Sequence, residues 1–82
     1  MQRKQIIDYI VSSVKNTQTA FAQKELPYDP QIIKSATLKE LKKIDATVDT
    51  TVFDDAIEEM KQEGYIDGRA NGLIFFKDKI LS

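Results

Sequence analysis

The densest run of side chains capable of chemistry is Asp54-Asp55-Ala56-Ile57-Glu58-Glu59. Carboxylates four apart share one face of a helix, a spacing that suggests a divalent-cation cluster. Such a site needs further ligands and a pocket, and neither is evident here. His and Cys are both absent. These two zeros remove Ser-His-Asp and Cys-His catalysis, Cys-based zinc sites and disulfides, and the one side chain that titrates unperturbed near neutrality. Catalysis would rest on carboxylates, Lys or Tyr alone. No enzyme, cofactor or metal is therefore expected. Acids at the start of a helix, where the dipole favours them, followed by a solvated face, account for the run. The same face, with Asp54 and Glu58 on it, is also a candidate docking surface for a basic protein.

The cations lie elsewhere. Residues 1–44 hold eight bases and four acids, a net of +4, whereas 45–67 hold eight acids and only Lys61, a net of −7. Residues 68–82 return +2, so the overall −1 is a cancellation along the chain. Lys34, Lys39, Lys42 and Lys43 form the basic cluster of the first segment, and Arg69 stands alone beside Asn71-Gly72. Lys and Arg so placed suit phosphate contacts. A solvated helix face is their plainer reading.

A chain of 82 residues buries only somewhat more than about 60% of its unfolded surface, so one modest core and one domain over 1–82 are expected. No apolar run approaches the roughly 18 residues that cross a bilayer. An acid, Asp8, follows Ile6-Ile7 and leaves no signal-peptide core, so the chain reads as cytoplasmic.

Ile6, Ile7, Ile10, Val11 and Val14 make one stripe of an amphipathic helix from about Arg3 to Lys15. That helix either continues to about Lys24 or gives way to a loop at Asn16. Asp29-Pro30 reads as a helix start, cap followed by first-turn proline. A shorter helix from Leu38, capped by Ser35 or by Thr37 with Glu40 as its capping box, is the alternative. Residues 45–49 form a turn. Asp49 or Thr50 then caps a third helix that buries Phe53, Ala56, Ile57 and Met60 and stops at Gly64.

Asn71-Gly72 between two β-prone runs predicts a hairpin. A two-residue turn sets Ala70 opposite Leu73, Arg69 opposite Ile74, Gly68 opposite Phe75 and Asp67 opposite Phe76. Ile66, Ala70, Leu73 and Phe75 then face the core. Tyr65, Arg69, Ile74 and Phe76 form an outer face, covered by Ile80-Leu81, by the loop around Phe21, or by a protein partner or second copy of the chain. Tyr9 and Tyr28 are expected at the edge of the core with their hydroxyls in water.

Thr37-Leu38-Lys39-Glu40-Leu41 and, after it, Met60-Lys61-Gln62-Glu63-Gly64-Tyr65-Ile66, followed by the hairpin, resemble the winged helix-turn-helix superfamily over about Thr37 to Phe76. The resemblance implies a mainly α domain of three or four helices with a C-terminal β-hairpin as the wing. It further implies double-stranded DNA as the ligand and an accessory role in transcription or replication. Lys34, Lys39, Lys42, Lys43, Thr50, Thr51 and Arg69 would then be the nucleic-acid contacts. The chain departs from the pattern in a long segment before Thr37 and in an acidic third helix. That second departure supports the alternative of a protein-interaction module on the same scaffold, with Asp54, Glu58, Tyr65, Ile74 and Phe76 as its contacts.

Overall fold

The stripe Ile6, Ile10, Val14 forms the buried side of helix α1, and these three are its only fully buried residues. In the computed structural model, which describes residues 1–82, α1 nevertheless runs from Arg3 to Gln23. The longer of the two sequence alternatives therefore holds. In the polar half, the Thr17 and Thr19 hydroxyls donate to the Ser13 and Lys15 carbonyls one turn back. The helix closes with Glu25 at φ +57°. The Glu25 and Leu26 amides donate back to the Ala22 and Phe21 carbonyls, the double bond of a Schellman stop made without glycine.

Asp29-Pro30 does not start a helix. Strand β1, Gln31–Ile33, follows it, and helix α2 begins only at Lys34 and runs to Ile44. The reason is tertiary. The Phe76 amide donates to the Pro30 carbonyl and the Lys34 amide to the Gly72 carbonyl, each at 2.9 Å. Ile32 lies opposite Ile74 in an antiparallel pairing. No side chain caps α2, because the hairpin's own carbonyl takes its first amide. The Thr37–Glu40 capping box is likewise not formed: Thr37 is buried, and Glu40 accepts the Tyr9 hydroxyl at 2.8 Å. The Tyr9 hydroxyl, at an exposed contact on the edge of the core, thus has a protein acceptor as well as solvent, and partial burial, with the Glu40 hydrogen bond second, pushes its pKa up.

The turn after α2 is built on Asp45. Its carboxylate accepts from the Thr47 amide and hydroxyl and from the Met1 amine, and Val48 is buried beside it. Helix α3 spans Thr50–Gln62 with Asp49 as its cap, the carboxylate accepting from the Val52 amide at 2.9 Å. Because the cap is Asp49, Asp54 and Asp55 fall in the second turn, and no acid occupies the first. Gly64 at φ +83° ends the helix, with the Tyr65 amide on Met60 and the Gly64 amide on Lys61. Lys79 reinforces that end by donating its ammonium to the Glu63 carbonyl.

Strands β2, Ile66–Ala70, and β3, Leu73–Phe76, form the hairpin. Asn71 and Gly72 both have positive φ, +52° and +79°, as a type I′ turn requires. β3 is central, the sheet order being β1-β3-β2. Register matches expectation from Ala70 to Gly68, but a bulge at Asp67 sets Ile66 opposite Phe76. Ile66 packs against the core as expected, but on β3 the faces are the reverse of those expected. Ile74 and Phe76 point into the core, Leu73 and Phe75 are half-buried, and Ala70 is exposed. Ile80, from a C-terminal 3₁₀ turn at Asp78–Leu81, packs in the same cluster as Ile74 and Phe76. Ile74 and Phe76 are thus covered by the core itself, and the outer face expected to need the C-terminus, the Phe21 segment or a partner as its cover is not formed.

One core results, joining Ile6, Ile10 and Val14 of α1, Leu41 of α2 and Phe53, Ala56, Ile57 and Met60 of α3 to Ile32, Ile74 and Phe76 of the sheet. Phe53 is 0% exposed and Ile33 55%. Phe53→Ala is expected to destabilise the fold by about 3–5 kcal/mol, and Ile33→Ala by no more than about 0.5 kcal/mol; urea unfolding of both variants checks the contrast. The Met1 amine, and after it Thr47, hold the Asp45 carboxyl well below the usual carboxylate range. A carboxyl depressed in the folded state stabilises above its unfolded pKa, near about 4, and loses that contribution as pH falls. Asp45→Asn is therefore less stable than the parent at neutral pH, with a gap that closes under acid. A gap in urea midpoints that stays constant from neutrality to about pH 2, well below the unfolded value, would contradict this.

Candidate nucleic-acid interface

The start of α2, the second turn of α3 and the hairpin tip meet at one place. Lys34 reaches it because its amide is tied to the Gly72 carbonyl at the hairpin turn. Asp54 reaches it from the exposed side of α3, and its Oδ1 lies 2.8 Å from the Lys34 Nζ. Arg69 comes from β2, opposite Ile74. Lys34, Asp54 and Arg69 line a cleft of about 250 Å³ together with Ile57, Ile74 and Asn71. A cation at the first residue of a helix opposes the dipole, and the Asp54 carboxylate offsets that. The pair is solvated, its side chains 39% and 49% exposed, and stabilises the fold by no more than about 1 kcal/mol.

Lys39, Lys42 and Lys43 are not part of this cleft. They occupy the exposed side of α2, opposite buried Thr37 and Leu41, and Lys42 and Lys43 lie in the last turn, where the dipole favours cations. None of the three, nor Arg69, has a carboxylate within 4.0 Å. Thr50 and Thr51 are exposed in the first turn of α3. The structure therefore brings Lys34 and Arg69 together at the cleft and sets Lys39, Lys42 and Lys43 on a second, cationic surface.

The acidic run does not converge on a cation. Glu59 turns to α1, its Oε1 lying 3.2 Å from the Arg3 Nε. Asp54 turns to Lys34, and Asp55 lines a separate groove with Arg3 and Lys4. Glu58 is exposed without a cation in reach. No three carboxylates are placed so that they could hold a metal ion. No helix is long and apolar enough to cross a membrane.

Three residues read as protein contacts are placed differently. Ile74 and Phe76 are 2% and 4% exposed, in the core, because β1 pairs beside β3 and turns its Ile32 to the same side. Tyr65 is half-buried against the core, and the Lys79 ammonium stands 4.5 Å over its ring. The apolar outer face expected of the hairpin does not exist in that form. What sequence reading missed is the cleft itself, since residues 34, 54 and 69 share no local pattern.

Phe76→Asp is expected to abolish cooperative unfolding, because it places a charge inside the core. Arg69→Ala should leave the thermal midpoint unchanged, and a folded Phe76→Asp that alters only oligomeric state would contradict the assignment. Comparison with protein-family models, with curated proteins and with solved structures finds no match to this chain.

Proposed function

We propose that this chain is a winged-helix domain that binds duplex DNA through its phosphates. The element order α1-β1-α2-α3-β2-β3, with β3 central, supports that layout, in which two helices and a hairpin flank one surface. The observation that carries the reading is the set of unpaired cations: Lys39, Lys42 and Lys43 on the exposed side of α2, and Arg69 on the hairpin. Unpaired surface cations release counterions from DNA when they meet phosphates, and this supplies most of sequence-independent affinity. The outward face of α3 offers Thr50 and Thr51 but otherwise Asp54, Asp55 and Glu58, so base reading by basic side chains is not part of the proposal.

A second reading is favoured by Asp55 and Glu58, which lie exposed with no cation within 4.0 Å. A protein with a basic surface would dock on that face of α3. The two readings separate in one titration. Retention on generic duplex DNA is expected at about 50 mM salt and should fall with the logarithm of salt. Replacing Lys39, Lys42 and Lys43 by Ala should lower the slope of log K against log salt by up to about 2.7, roughly 0.9 per lost contact. Absence of any retention at the lower salt overturns DNA binding. Binding to a basic protein, lost in Asp55→Lys with Glu58→Lys, would then support the second reading.

A further inference from the structure

The cleft between the hairpin and α3 holds two cations and one anion. Lys34 and Arg69 line it, Ile57 and Ile74 contribute its apolar lining, and Asp54 occupies the Lys34 ammonium at 2.8 Å. Lys34 is not free to swing its backbone away, because its amide is fixed to the Gly72 carbonyl. We propose that the cleft is a phosphate site and that Asp54 is its built-in brake, a contact that holds Lys34 away from an incoming phosphate. The inference rests on the DNA-binding reading and adds a site and its regulation to it.

The physical case is a competition for one ammonium. In the free protein Lys34 has a carboxylate partner, so only Arg69 is an uncompensated cation in the cleft. A phosphate that enters either displaces Asp54 or binds beside its negative charge, and both weaken the complex. Both side chains of the pair are partly solvated, so a phosphate has access and the pair can exchange. With Asp54 neutral, Lys34 and Arg69 become two unpaired cations in one recess. That is the arrangement that adds a phosphate contact.

Asp54→Asn keeps the size of the side chain and removes its charge. Its expected effect on generic duplex DNA at about 50 mM salt is a gain of about tenfold in affinity, with a salt slope steeper by about 0.9. Asp55→Asn is the control, since it removes the same charge from the same helix but lies in a different groove. It should gain distinctly less and leave the slope unchanged. Adding Lys34→Gln to Asp54→Asn should remove the gain. Circular dichroism and urea midpoints on each variant establish that the fold is kept. Equal gains in Asp54→Asn and Asp55→Asn, or no gain in either, overturn the brake while binding that depends on Lys39, Lys42 and Lys43 stands. If no variant is retained on DNA, the DNA-binding reading fails and the brake with it.

Discussion

Strand β3 pairs along both edges, and most of the molecule's arrangement follows from that. On one side it carries the hairpin with β2. On the other it takes β1, a three-residue strand some forty positions earlier in the chain. The second pairing would be marginal alone, because so short a strand adds few ladder bonds. It is sustained by Ile32 lying opposite Ile74, both buried, and by the flanking bonds from Phe76 to Pro30 and from Lys34 to Gly72. Through it the hairpin caps the start of α2. That single junction brings Lys34 up to Asp54 and Arg69.

The electrostatics follow from the same packing. Along the chain the acids crowd into residues 45–67 and look like a repulsive block. In the fold the block is divided: Asp45 turns to the Met1 amine and Thr47, Asp49 caps α3, Asp54 meets Lys34 and Glu59 meets Arg3. Half of the eight carboxylates thus have structural partners, most of which local sequence cannot reveal. Asp55 and Glu58 are left on the outward face of α3, and Lys39, Lys42 and Lys43 on the outward face of α2. The net of −7 along residues 45–67 therefore overstates the unpaired anionic charge on this part of the surface.

Helix termination shows how far short-range signals reach. Asp49 and Gly64 bound α3 as their residue types require, since an Asp carboxylate can cap free amides and glycine tolerates positive φ. The end of α1 carries no such mark, for Glu25 takes the left-handed position. The start of α2 has no side-chain cap at all. Where a terminus is closed by backbone from elsewhere, or by a residue atypical of the position, local pattern misplaces it. Asp29-Pro30 was such a case, a sound cap in isolation that precedes a strand.

Residue order alone determined the amphipathic stripe of α1, the full buried set of α3 and the Asn71-Gly72 hairpin, because 3.6-residue periodicity, capping chemistry and a type I′ turn are local physics. It also determined that no His or Cys chemistry is available. Tertiary structure decided the existence of β1, the side of the hairpin that faces inward, and the meeting of Lys34, Asp54 and Arg69. Each of these depends on contacts between residues distant in sequence. The strand added at the edge of β3 sets Ile32 beside Ile74 in the core, and the bulge at Asp67 sets Ile66 opposite Phe76.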